Sequence, residues 1–198
     1  MMFSVIIPAH NSAKYISRAL NSIKEQTFTN YEIIVVCDSC TDNTASIARS
    51  YGALVIEADF GNDGLSRSRG LDVASGDYVM FIDDDDWWLH PRVLEIVNRD
   101  LNGNSDIDCY CYGFIWGELG YRAPNGNMPG NKLFPNVWSK VWKRETIGDT
   151  RFPNVHYCSD MHFTNAMFDK HINYKLSDDP IYFYNYMRDG SISHKEFS

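Results

Sequence analysis

Across the first hundred residues, four short apolar runs alternate with four segments of helical period, and this alternation narrows the available folds most. Phe3–Pro8, Tyr31–Cys37, Ala53–Glu57 and Asp77–Ile82 are brief and mostly rich in β-branched or aromatic residues, as buried strands are. Ser12–Glu25 places Ile16, Ala19, Leu20 and Ile23 at helical spacing behind Ser12, the expected N-cap. Thr41–Tyr51, Gly64–Ala74 and Pro91–Leu101 read as further helices, the last with Pro in its first turn, where a missing N–H does no harm. Such repetition predicts right-handed crossovers and an α/β fold with a mostly parallel central sheet flanked by helices. Ligands of these sheets gather outside the carboxyl ends of the strands. Those ends are Pro8-Ala9-His10, Cys37-Asp38, Asp59 and Asp83–Asp86, so three of the four carry acids.

The remainder reads differently. Residues 102–136 are rich in Gly, Asn, Pro and aromatics, with a strand expected at Ile107–Ile115 and a long loop at Ala123–Pro135. A helix at Ser159–Lys170 and a last strand at Ile181–Met187 complete the chain. With 198 residues, one domain is expected over 1–198, residues 1–101 forming one half and 102–198 a second, smaller-lobed half. A chain this long buries about 70% of its unfolded surface and needs no staples.

The formal net charge of −8 disfavours a nucleic-acid backbone as partner, because phosphate neutralisation needs a basic face. No apolar run is long enough to span a bilayer, and the N-terminus lacks a basic n-region. Five cysteines (37, 40, 109, 111 and 158) are an odd count that suits a reducing compartment, so a cytoplasmic protein is expected. Cys37 and Cys40 form a C-x-x-C, but no second pair stands at zinc spacing.

The loudest signal is Asp83-Asp84-Asp85-Asp86, between an apolar strand and Trp87-Trp88. Two carboxylates about 4 Å apart repel by roughly 4 kcal/mol at an effective dielectric of about 20, so something positive is expected there. In an extended segment alternate side chains share a side, which lets Asp83 and Asp85 face one ligand with Asp84 turned away. Oxygen-only ligands favour a hard ion, Mn²⁺ or Mg²⁺. Asp38 can accept from a base N–H, Asp42 can cap the helix that follows it, and of Arg67 and Arg69 one can reach a phosphate or pair with an aspartate.

Taken together, SVIIPAHN, IIVVCDSCTDNT, SRSRGLDVASGDYVMFIDDDDWW, VWSKVWKR and CSDMHF resemble the inverting family 2 glycosyltransferases of GT-A (Rossmann-like) fold. The resemblance implies a metal-dependent transfer of one sugar, with inversion, from a nucleotide sugar (a UDP-sugar above all) to a hydroxyl of a glycan, lipid-linked or protein acceptor. It implies that Pro8, Ala9, His10, Asp38, Arg67, Asp83 and Asp84 bind the nucleotide, and that Asp83 and Asp85 are the DxD pair, Asp85 the nearer to the metal. Asp160 would match the catalytic Asp of a Glu-Asp pair, and Trp138 and Lys140 a Trp-x-Lys segment beside it, with Trp87 a further acceptor contact. Processive members carry Gln-x-x-Arg-Trp; the only glutamine here is Gln26, which implies a non-processive enzyme. Ser159 stands in place of the family's Glu, so a non-catalytic sugar- or nucleotide-binding module of the same fold is the alternative. His156, His162 and His194 are further candidates for holding acceptor or phosphate, and Tyr112, Trp116 and Tyr121 are aromatic candidates for stacking on an acceptor sugar, although strand-spaced aromatics are commonly core. The short acceptor lobe leaves room for oligomerisation or a partner to complete it.

Overall fold

The computed structural model describes residues 1–104, 106–125, 133–155 and 157–186. In chain order the elements are β1 (Phe3–Ala9), α1 (Ile16–Lys24), β2 (Tyr31–Asp38), α2 (Thr44–Ser50), β3 (Leu54–Ala58), α3 (Asp63–Val73), β4 (Tyr78–Phe81), β5 (Trp87–Trp88), α4 (Val93–Leu101), β6 (Cys109–Trp116), β7 (Tyr121–Arg122), β8 (Lys140–Lys143), α5 (Arg144–Ile147), α6 (Ser159–Phe168) and β9 (Tyr174–Tyr184). They build one sheet in the order β3-β2-β1-β4-β8-β6-β9-β5, with β7 paired to β6.

The first four strands to form pairs are parallel: β1 lies between β2 and β4, and β3 extends β2. Successive residues of β1 supply opposite faces, Val5 and Ile7 to the core under α1 and α4, Ile6 to the core under α3 and α6. Both faces are covered, which is why the strand is written as a continuous apolar run. A helical stripe of Ile16, Ala19, Leu20 and Ile23 buries α1 as its spacing predicts. Its start differs from expectation. Ser12 does not cap with its side chain; its hydroxyl binds Asp84 and the His10 carbonyl, and the helix begins at Ile16 with Tyr15 as an uncapped N-cap. A tertiary carboxylate has outcompeted the local cap.

The second half interleaves rather than appends. β8, inside VWSKVWKR, runs antiparallel between β4 and β6, so the sheet is mixed although mostly parallel. That strand was not legible as a strand, nor were the two-residue β5 and β7. β9 starts at Tyr174, well before the expected Ile181, and runs parallel to β6 across a register shift at Tyr112–Phe114. Its first half alternates exposed and half-buried residues, so it lacks the apolar signature of a buried strand. His156 and His194 lie outside the described residues, as does part of the expected Ala123–Pro135 loop.

Strand order reverses at β1, whose sheet neighbours β2 and β4 flank it on opposite sides. Such a switch point opens a crevice at the strands' carboxyl ends. Ala9-His10 and Asp83-Asp84 meet there.

Candidate active site

The loops from β1 and β2 are laced together. Asn11 takes a left-handed conformation (φ 48°) that Asn tolerates, and its Oδ1 accepts from the Thr41 and Asp42 N–H groups at 2.8 and 3.3 Å. Asp42 in turn accepts from the Thr44 N–H at 2.9 Å and the Ala13 N–H at 3.0 Å, the turn and helix-entry role open to it by sequence. His10 is exposed, and its Nδ1 lies 2.7 Å from the Asp38 carbonyl oxygen. Pro8 and Ala9 are buried at the end of β1.

Asp38 departs from the base-reading expectation. One carboxylate oxygen accepts from the Phe60 and Gly61 N–H groups at 2.6 and 3.1 Å; the other accepts from the Asn62 N–H at 2.9 Å and the Ser66 hydroxyl at 3.1 Å. Burial acts to raise its pKa, but these donors together hold it below the usual carboxylate value. The side chain is 6% exposed and its lone pairs are filled by the loop that leads into α3. A base N–H would have to displace one of those donors.

The acidic run alternates as an extended segment should: Asp83 and Asp85 are half-buried, Asp84 and Asp86 buried. Asp84 accepts from the His10 N–H at 3.2 Å and from the Ser12 hydroxyl, and so fixes the β1–α1 loop. Asp86, the last acid of the Asp-x-Asp-Asp pattern that the family resemblance implies and to which sequence reasoning gave no role, accepts from the Tyr182 hydroxyl at 2.6 Å and the Asn185 N–H at 2.7 Å. Full burial, with the charges of Asp85 and Asp83 nearby, pushes its pKa well up. Tyr182 also accepts from the Asp83 N–H at 3.2 Å, so β9 clamps the acidic turn from behind.

The positive group demanded by this acidity is Arg67. It is 5% exposed, and its guanidinium pairs with Asp83 at 2.7 Å and with Asp63 one helical turn earlier. Asp160, in the first turn of α6, faces the same cluster and accepts from the Met161 N–H at 2.8 Å. Burial raises its pKa; Arg67 pulls it back, while Asp83 and Asp63 add to the rise, and the net shift is upward. Gly64 permits this meeting: a Cβ there would lie 2.8 Å from that of Ser159, whose hydroxyl reaches Asp63 at 3.2 Å. Asp63 was missed, although its i,i+4 spacing from Arg67 on a helix was available in the sequence. Arg69 is half exposed, 3.9 Å from Asp72.

Three expected acceptor contacts point elsewhere. Lys140 is 1% exposed, its ammonium donating to the Phe134 and Asn136 carbonyls at 2.5 and 2.6 Å, so it ties down the 134–139 segment from within; burial lowers its pKa. Trp138 is 7% exposed and stacks on Tyr182 and Tyr184 at 4.6 and 5.1 Å. The Trp87 ring stacks on Phe183 at 4.1 Å and has Arg18 above it at 4.4 Å. In each case the aromatic or aliphatic surface is used by the protein itself. Tyr112 is core too, donating to the Trp138 carbonyl, and His162 is exposed on α6.

Among the described residues no three His, Cys, Asp or Glu side chains form a metal cage. A hard divalent ion at a phosphate site needs only one or two carboxylates, with phosphate and water oxygens completing its shell, and Asp83 and Asp85, both half-buried, are the residues of the acidic turn that could hold one. The Cys40 thiol donates to the Ala9 carbonyl at 3.4 Å, and burial pushes the Cys37 thiol up to about 12.

A mixed α/β sheet with an acid-lined crevice at its switch point is the GT-A architecture. Glycosyl transferase family 2 matches residues 4–176, and the chain belongs to that family. A poly(ribitol-phosphate) beta-glucosyltransferase of Bacillus spizizenii is 29% identical over 96% of this chain and 33% of its own length. Glycosyltransferase GlyA of Streptococcus pneumoniae is 28% identical over 75% of the chain and 25% of its own length. The crystal structure of Staphylococcus aureus TarS 1-349 in complex with UDP-GlcNAc superposes with a TM-score of 0.84 at 24% identity, covering 100% of this chain and 61% of that one, a likeness of fold. The chain spans a third or less of the length of these two sequence relatives. Among the described residues no helix is long and apolar enough to cross a membrane.

Proposed function

We propose that this chain transfers one hexose unit, with inversion, from a UDP-sugar to an acceptor hydroxyl, aided by Mn²⁺ or Mg²⁺. The observation that carries the reading is the meeting of Asp83, Arg67 and Asp160 at the switch-point crevice. TarS forms a complex with UDP-GlcNAc, and a mannosyltransferase of Pyrobaculum calidifontis, alike in fold, one with GDP-Man and Mn²⁺. The odd count of five cysteines fits a reducing cytoplasm.

Asp85, with Asp83, would hold the divalent ion, which when bound neutralises the diphosphate leaving group. His10 and the β1–β2 loops flank the base, with Asp38 shaping that wall through the 60–62 loop. Asp160 receives the proton as the acceptor oxygen bonds to the anomeric carbon and the bond from that carbon to the diphosphate breaks. Its raised pKa makes it a better base than an ordinary aspartate. Ser159 does not remove the second carboxylate from the cluster, because Asp63 stands at its hydroxyl. That favours an enzyme over an inactive binding module.

Asp160→Asn tests this. An amide oxygen can still accept from the Met161 N–H, so melting temperature and UDP–Mn²⁺ affinity should hold while transfer falls at least about a hundredfold. Transfer at the parent rate would move the base elsewhere.

A further inference from the structure

A cavity of about 580 Å³ opens between α1 and the Asp85–Leu89 segment, walled by Lys14, Arg18, Asn21, Glu25, Asp85 and Trp87. It shares Asp85 with the acidic turn and is thus contiguous with the candidate site. Arg18 and Lys14 are both exposed, and among the described residues neither takes part in an ion pair. In a chain of net charge −8 that is a notable place for two cations.

The Arg18 guanidinium carbon sits 4.4 Å from the Trp87 ring centroid, and Trp87 is itself braced against Phe183 with rings 13° from parallel. A guanidinium resting on an indole keeps its N–H edge available, and less freedom remains to be lost when that edge meets an oxyanion. The stacking also removes Trp87 as a platform for a sugar ring. What the cavity offers is therefore two cations for an anion at one end, with Glu25, Asn21 and Asp85 as acceptors for hydroxyl groups. Neutral sugar would leave the cations unmatched, and a bare anion would meet the two carboxylates.

We propose that this cavity seats an acceptor that carries a phosphate or carboxylate group close to the hydroxyl that is glycosylated, the anion on Arg18 and Lys14 and the hydroxylated part toward Asp85. The proposal rests on the donor-site reading above, since Asp85 is the residue the cavity shares with the acidic turn of that site.

The test titrates ribitol 5-phosphate, glucuronate and neutral ribitol into the full chain without donor, with binding followed by NMR line broadening. UDP affinity in the presence of Mn²⁺ is measured in parallel by calorimetry. At least one anionic probe should bind about tenfold or more tighter than ribitol, as expected for one charge-assisted bond, and the tighter of the two identifies phosphate or carboxylate as the group selected. Arg18→Gln should erase the preference, and Lys14→Gln should reduce it, with UDP affinity unchanged in both. Equal binding of ribitol and both anions would overturn the proposal, as would an intact preference in Arg18→Gln. Parallel loss of UDP affinity in Arg18→Gln would overturn it too, by making the cavity part of the diphosphate site. Failure of the unaltered chain to bind UDP, with the anion preference present and lost in Arg18→Gln, would count against the donor reading and support the anion site.

Discussion

Replacing Arg67 by Met removes the one cation buried among Asp83, Asp63 and Asp160 while keeping an unbranched side chain over Phe152, from whose ring the guanidinium lies 5.8 Å. Two ion pairs disappear. A hydrogen bond to a charged group contributes roughly 1.5–3 kcal/mol, and the pair with Asp83, whose side chain is 25% exposed, belongs in that range. The pair with Asp63 is worth less, about 0.5–1 kcal/mol, because that carboxylate is 48% exposed and solvent screens it. Their sum is about 2–4 kcal/mol. At about 2–4 °C per kcal/mol for a domain of this size, the melting temperature should fall by roughly 4–16 °C. A second effect separates this from a generic loss of packing. Arg67 is what pulls the Asp160 pKa down against its burial. Without it that pKa climbs further, and the acid limb of the kcat/KM profile moves to higher pH, because the base must be ionised to act. UDP release from a UDP-sugar, followed from pH 4 to 9 alongside thermal melts, reads both. An unchanged melting temperature would refute the ion-pair argument, and an acid limb that stays put or moves down would refute the coupling of Arg67 to Asp160.

Asp38→Asn should destabilise the chain by about 1–3 kcal/mol, since one face of the amide turns N–H groups toward the donors of Phe60, Gly61, Asn62 or Ser66. The Asp38 pKa is lower in the folded chain than in the unfolded one, so its contribution is present above the unfolded value and is lost as pH falls through the folded value; urea midpoints below pH 4 should therefore fall less steeply in Asp38→Asn. Lys140→Met leaves the Phe134 and Asn136 carbonyls without their donor and should cost about 2–4 kcal/mol by denaturant titration, while UDP affinity stays at the parent value; a selective loss of acceptor KM at unchanged stability would restore Lys140 to the acceptor site.

Sequence alone determined the parallel half of the sheet and the ends at which chemistry gathers. Those features are written locally: doubly covered strands must be continuous apolar runs, α1 must carry a stripe at helical spacing, and two-residue periodicity turns Asp83 and Asp85 to one side and Asp84 and Asp86 to the other. The motifs sufficed for the family for the same reason. Tertiary structure alone decided what each polar group does. Ser12 could cap a helix or bind Asp84; Asp38 could meet a ligand or gather the 60–62 loop; Lys140 and Trp138 could face an acceptor or turn inward. For Ser12, Asp38 and Trp138 the partner lies more than twenty residues away, and for Lys140 it is a nearby segment that the fold turns back on it; a buried charge takes whichever hydrogen-bonding partners the fold delivers, because leaving it unmatched costs more than any local preference. The second half was least legible for a related reason: β8 and β9 are strands by virtue of the neighbours they pair with, β4 and β6, and not by their own pattern.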